Sequence, residues 1–380
     1  MINSKKFFEK LEQSNIDFFV GVPDSLLSDF SAYITDNVSS LKHLITANEG
    51  NAIANAVGYN LASGKIPFVY LQNSGFGNII NPILSIADDK VYAIPMIIMM
   101  GWRGEPGVKD EPQHVRQGEV NEALLDAIQL PYTIIDKYSD IEIVIEKAIN
   151  IANKFSKPYV ILVRKDTFEK YKLKNDLKTS FNLNREDVVK IIVDTLKNDD
   201  IVVSTTGKTS RELFEYRESI GHGHDKDFLT VGGMGHTSSI ALGIAIEKKD
   251  RNVYCLDGDG SLIMHMGALA INGSVKGLDN FKHIVINNGA HDSVGGQPTA
   301  GFQIDMVSIA KACGYSYATS ADSVDSIKKS LEILANHKGC GFLEIKVNKG
   351  ARQNLGRPTT STLENKIAFT KFLKHGSDSI

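Results

Sequence analysis

Apolar residues along the chain follow two rhythms that take turns. Short β-branched or aromatic runs at 17–21, 67–71, 91–100 and 159–163 read as strands in the first half. Runs at 201–204, 252–256, 283–287 and 341–347 do the same in the second. Between them lie longer stretches with helical spacing, for example 51–62, 141–155 and 324–336. This alternation predicts parallel sheets covered by helices on both faces. Residues 164–184 break the pattern, being polar, Lys-rich and without an apolar period, and read as a linker. The expected fold class is therefore α/β, with two doubly wound parallel-sheet domains at 1–163 and 185–380 joined by 164–184. No fixed-period repeat or low-complexity tract is evident.

Composition narrows the class. A chain of 380 residues exceeds one ordinary core and suits two. Its 42% hydrophobic and 23% charged residues are those of a globular protein in water. A formal charge of -3 gives no global attraction to nucleic acid or an anionic membrane, so an anionic substrate has to be held by local Arg, Lys and His. Cys255, Cys313 and Cys340 are widely spaced and odd in number, which fits reduced interior residues. The N-terminus lacks an uninterrupted apolar h-region, and the apolar run at 93–100 is too short to span a bilayer. A cytoplasmic enzyme is the expectation.

The strongest chemical signal lies where a strand at 252–256 runs into Asp257-Gly258-Asp259-Gly260-Ser261. Ligands of parallel sheets sit beyond the carboxyl ends of strands. Glycines flanking a carboxylate let the backbone approach a diphosphate while Asp259 offers a hard oxygen to Mg²⁺. One strand further on comes Asn287-Asn288-Gly289-Ala290. An isolated GDG is usually a turn. The pair, with 26 residues between Gly260 and Asn287, is far more specific. It resembles the fingerprint of the pyruvate-decarboxylase-like superfamily of thiamine-diphosphate enzymes.

That resemblance implies a set of roles. Asp259, Asn288 and the carbonyl of Ala290 become the metal ligands. Gly258, Gly260 and Ser261 flank the diphosphate. In Gly232-Gly233-Met234-Gly235, Gly233 lines the cofactor and Met234 props it in its bent form, a place where a Met packed in a glycine turn would also sit. After the strand at 201–204, Gly207, Lys208 and Thr209 open a helix whose N-terminus suits a phosphate. This is not a Walker A loop, because Val202 replaces its first glycine. No G-x-G-x-x-G between a strand and a helix suggests NAD.

In the first half, Glu49 opens a helix of small residues, Gly50-Asn51-Ala52-Ile53-Ala54. A Glu at a helix start is ordinarily a surface complement to the dipole. The resemblance makes it the acid that hydrogen-bonds the cofactor's aminopyrimidine and so activates its reactive carbon. Loops carrying Ser25 (in GVPDS) and Asn73 (in LQNSGFGN) resemble those of the superfamily's pyrimidine-binding domain. The family habit of placing the cofactor between domains of different subunits implies a homodimer or higher homo-oligomer.

Only the segment at 164–184 stands where larger members insert a third domain. The compact layout, with PDS, EPQHVRQG, NNGAHDSVGGQPT and RQNLGRPTTST, is similar to the phosphonopyruvate decarboxylase branch, with sulfopyruvate decarboxylases as near relatives. The implied reaction is loss of CO₂ from 3-phosphonopyruvate. A substrate with a carboxylate and a phosphonate needs donors on two sides. Candidates are Ser25, Arg103, His114, Arg116, His291, Gln297, Arg352 and Arg357, with His114 or His291 also placed to relay the final proton. For any one Arg alone, a surface salt bridge is the commoner role. The rival readings are a sulfopyruvate decarboxylase, a carboligase, and a noncatalytic cofactor-binding protein; the last would need the glycine loops but not Glu49.

Overall fold

The computed structural model describes residues 1–175 and 177–374. The chain divides into two compact units, Met1–Asp176 with Ser293–Gln297, and Leu177–Asp292 with Pro298–Ile380. The first unit holds strands β1 (Phe19–Gly21), β2 (His43–Ile45), β3 (Phe68–Gln72), β4 (Met96–Gly101), β5 (Tyr132–Ile135) and β6 (Pro158–Val163). The second holds β7 (Ile201–Ser204), β8 (Asp227–Leu229), β9 (Val253–Gly258), β10 (Phe281–Asn287), β11 (Tyr317–Ala321) and β12 (Gly341–Lys346).

Every pairing between these strands is parallel. The orders are β2-β1-β3-β4-β6-β5 and β11-β12-β10-β9-β7-β8. Read from β8, the second order repeats the first strand for strand. The two units share one topology, although no sequence repeat announces it.

Strand composition explains the layering. In β4, Ile97 and Met99 bury on one face of the sheet while Met96, Ile98 and Met100 bury on the other. In the second unit, Tyr254 and Leu256 face one core while Val253 and Cys255 face the other. Continuous apolar strands of this kind belong in a sheet covered on both sides. The helices at Ile141–Phe155 and Val324–Asn336 have the bounds that their periodicity suggests. The expected strand at 91–100 is shorter, beginning at Met96. Ala93 adopts φ 55° and Pro95 has no N–H to give, so neither continues the ladder.

The described residues of 164–184 form no helix and no strand beyond isolated bridges. They are nonetheless fastened. Phe168 packs into the first unit's core, and the Tyr171 and Lys174 N–H groups donate to Asp29 and Asp36 at 2.9 and 2.8 Å. Further on, Phe181 donates its N–H to Asn348 Oδ1 at 3.0 Å. In the second unit a buried ion pair, Arg217 to Asp227 at 2.9 Å, ties the helix Lys208–Ser219 to β8. Among the described residues no helix is long and apolar enough to cross a membrane.

Candidate active site

In the first unit the site residues sit at the carboxyl ends of the strands. Glu49 is the first residue of the helix Glu49–Ser63, whose N-cap Asn48 accepts the Asn51 N–H at 3.0 Å. Capping therefore falls to Asn48 and leaves the Glu49 side chain free to turn inward. It is buried, and its Oε2 accepts a hydrogen bond from Asn78 Nδ2 at 2.7 Å. Gly75 lies directly against it, since a Cβ there would come within 2.3 Å of Glu49 Oε1. The LQNSGFGN loop thus supplies a glycine platform and an amide donor that fix one carboxylate. Asn73 in that loop uses both ends of its amide on the Arg103 backbone, at 2.8 and 3.1 Å.

Beyond β1 and β4 a second group assembles. Arg103 donates from Nε to Asp110 Oδ2 at 2.7 Å and from Nη2 to the other Asp110 oxygen, while Nη1 donates to Ser25 Oγ at 2.7 Å. Burial works to raise the Asp110 carboxyl, but the Arg103 bonds and the Glu111 and Gly104 N–H groups hold it well below the usual range. His114 is buried on the helix Pro112–Glu119, with Nδ1 3.3 Å from Gln117 Oε1. Burial and then the nearby Arg103 charge lower its pKa. Arg116 on the same helix is 84% exposed and pairs with Glu119 at 2.8 Å, so it stands apart from this group.

In the second unit, four loops converge. Ser261 Oγ accepts from Thr205 Oγ1 and from the Gly235 N–H, both at 3.1 Å, which brings the loops after β7, β8 and β9 to one point. Gly207 caps the helix Lys208–Ser219 without a side-chain hydrogen bond, and an N-terminus of this kind suits a phosphate. Met234 and His291 both border Gly260: a Cβ there would lie 3.4 Å from Met234 Cε and 3.1 Å from His291 Cε1. Burial pushes the His291 imidazole down to about 4, so the ring is neutral at physiological pH.

The metal candidates form a compact oxygen set. Asp259 is buried; Oδ2 accepts the Thr299 hydroxyl, and Oδ1 takes a long 3.5 Å contact from the Asn288 N–H. Asn288 Oδ1 accepts the Ala290 N–H at 3.1 Å, and the Ala290 carbonyl accepts the Asp292 N–H at 2.9 Å. Each of these oxygens keeps a lone pair for a cation. Burial raises the Asp259 carboxyl to about 6. A carboxylate, an amide oxygen and a carbonyl beside a helix N-terminus suit Mg²⁺ carrying a diphosphate. Asp292 gathers the rim, with Arg185 Nη1 at 3.0 Å, Asn288 Nδ2 at 3.2 Å and Lys208 Nζ at 4.0 Å. Arg185 is also bidentate to Glu212 at 2.8 Å.

Arg352 is held by Glu186 at 3.0 Å and by Glu215, and Arg357 is exposed in the same loop. Gln297 is fully buried, and neither amide atom hydrogen-bonds a described residue. One set with metal-ligand spacing, Cys255, Asp257 and His283, is buried one layer below. There His283 Nδ1 is 3.2 Å from the Tyr315 hydroxyl, an interior strand network.

Comparison with known proteins decides what the arrangement belongs to. Residues 3–126 match the thiamine pyrophosphate enzyme N-terminal TPP binding domain, and residues 206–345 match the corresponding C-terminal TPP binding domain. The phosphonopyruvate decarboxylase of Streptomyces viridochromogenes is 30% identical over 98% of this chain and 95% of its own length. The chain belongs to the thiamine-pyrophosphate-dependent decarboxylases. A Streptomyces hygroscopicus phosphonopyruvate decarboxylase is 29% identical over 98% of this chain and 94% of its own. The sulfopyruvate decarboxylase of Methanosarcina acetivorans is 26% identical, covering 91% of each chain.

Within this decarboxylase several partners stand out that the sequence reading passed over. Asn78, Thr299 and Asp292 lie inside quoted motifs, and Asp110 sits seven residues after the Arg it clamps. Only local spacing hinted at them. Asp24, fully buried between Pro23 and Ser25, gave no hint beyond its place in PDS.

Proposed function

We propose that this decarboxylase acts on 3-phosphonopyruvate, releasing CO₂ and phosphonoacetaldehyde. The full-length likeness to phosphonopyruvate decarboxylases carries the substrate reading. The buried Glu49, held by Asn78 and Gly75, carries the mechanistic one. Bound thiamine diphosphate supplies the electron sink for the electrons left behind by CO₂. Glu49 would share a proton with the cofactor's pyrimidine ring from its buried place. Asp259, Asn288 and the Ala290 carbonyl would hold Mg²⁺, and Gly207, Lys208, Thr209, Gly258, Gly260 and Ser261 would line the diphosphate, with Gly233 and Met234 beside the ring system. Ser25 and Arg103 orient one anionic end of the substrate through hydrogen-bond donors of fixed direction. His114, neutral beside Arg103, hands on the last proton. The chain works in the cytoplasm as a homodimer or higher homo-oligomer with the cofactor at the subunit interface.

The test is CO₂ and aldehyde release from purified protein given phosphonopyruvate, sulfopyruvate and pyruvate, with and without thiamine diphosphate and Mg²⁺. Glu49→Gln should cut turnover by about a hundredfold or more while cofactor binding persists. Full activity in that variant sinks the mechanism, and faster turnover of sulfopyruvate moves the substrate to the sister reaction.

A further inference from the structure

Asp24 is 0% exposed, and neither carboxylate oxygen closes a hydrogen bond with any described residue. The N–H groups of Leu26, Ser25 and Leu27 favour its ionised form, although none closes a full hydrogen bond. Its place is specific. Oδ2 rests on Gly101, where a Cβ would come within 1.9 Å, and Arg103 follows two residues later. Arg103 is already matched by the ionised Asp110, with one guanidinium nitrogen left over for Ser25. The charges facing this corner are Arg103, Asp110 and Asp24, with Glu111 acting on Arg103 and His114 alongside. One cation against one ionised carboxylate leaves a donor-rich, neutral corner. A second ionised carboxylate would make it negative and repel an anion.

We propose that Asp24 is a positioning residue acting through Arg103: seating an anionic group at Ser25 and Arg103 requires Asp24 to hold a proton, so that anion binding takes one proton from solvent. This rests on reading Ser25 and Arg103 as the substrate's anion corner. Burial supports it, pushing the Asp24 carboxyl up to about 7 against the pull of Arg103. Below that pH the corner is ready for an anion, and above it binding draws the proton in.

The experiment is calorimetric titration of the enzyme, loaded with thiamine diphosphate and Mg²⁺, with sulfoacetate, a dianion that does not itself titrate near neutrality. At about pH 8, run in two buffers of different ionisation enthalpy, the wild type should take up most of a proton per anion bound. Its affinity should weaken up to about tenfold per pH unit above 7. Asp24→Asn should lose both the uptake and the pH dependence, whereas His114→Gln should keep them. Uptake that survives in Asp24→Asn, or that vanishes in His114→Gln, overturns the proposal. So does normal wild-type binding with no proton taken up, which decides the matter even if the Asn variant does not fold. If sulfoacetate fails to bind, or binds equally well to Arg103→Gln and Ser25→Ala, the anion corner itself is misassigned and the underlying reading fails.

Discussion

Asp24→Asn also makes a stability prediction whose size follows from burial. An Asp in the unfolded chain releases its proton near pH 3.8, while the folded protein retains it to about 7. Between those values the folded state binds one proton more than the unfolded state, so stability falls as pH rises. The favourable contribution is complete below pH 3.8 and lost by the time pH passes about 7. At about 1.4 kcal/mol per pH unit, the step from pH 5 to pH 8 removes about 3 kcal/mol from the wild type, because ionisation completes near 7. Asn has the same shape and does not titrate, so it escapes this loss. Urea unfolding of the cofactor-free protein at pH 5 and pH 8, each beside the variant, isolates the effect because other titrating groups are common to both. The variant should gain about 3 kcal/mol relative to the wild type over that interval, a large share of a typical folding free energy. A difference that stays constant within about 0.5 kcal/mol would mean that Asp24 keeps one protonation state throughout, and the reasoning from burial would fail.

Other perturbations probe the second unit. In Gly301→Ala a Cβ would lie 2.6 Å from Asn287 Oδ1 and 2.8 Å from Asp259 Oδ2. The shifted carboxylate should raise the Mg²⁺ needed for half-maximal activity by about tenfold or more, read from a metal titration of turnover. Arg217→Leu strands the buried Asp227 and should cost about 3–5 kcal/mol in urea unfolding. Adding Asp227→Leu to it should recover much of that loss, and a double variant no better than the single one would count against the ion pair as the cause.

How much of this was legible beforehand depended on where each residue lies in its sheet. The eight strands found from sequence include the central strands, whose continuous apolar runs come from burial on both faces. The four not found, β2, β5, β8 and β11, are the four sheet edges. Edge strands meet a neighbour on one side only; β2, β8 and β11 carry polar residues such as His43, Asp227, Thr319 and Ser320, and β5 is only the four-residue run Tyr132–Ile135, interrupted by Thr133. Glu49 and Asp259 were readable because their chemistry fixes a motif around them. Their holders, Asn78 and Thr299, were not singled out, since a hydrogen bond across a loop leaves no period in the chain. Arg103 and Arg352 looked alike as loose cations, yet each is clamped by carboxylates that sequence could not pair with them.

The shared topology explains why two units of one design carry different chemistry. The loops after β1, β2, β3 and β4 occupy the same positions in the strand order as those after β7, β8, β9 and β10. In the second unit these loops are rich in glycine, with backbone N–H groups, Asp259 and Asn288 arranged for a metal and a diphosphate. In the first unit the same places hold Asp24 and Ser25, Glu49, Asn73 and Gly75, and Arg103. None of these gathers carboxylate and amide oxygens as Asp259, Asn288 and Ala290 do; instead a carboxyl is buried twice, Glu49 with an amide donor and Asp24 without one. A parallel sheet fixes where its loops gather, and the loop sequence decides whether that edge binds charge or holds a proton. In the proposed function the second unit does the first and the first unit the second, which is the division of labour that a cofactor with an anionic tail and a proton-exchanging ring requires.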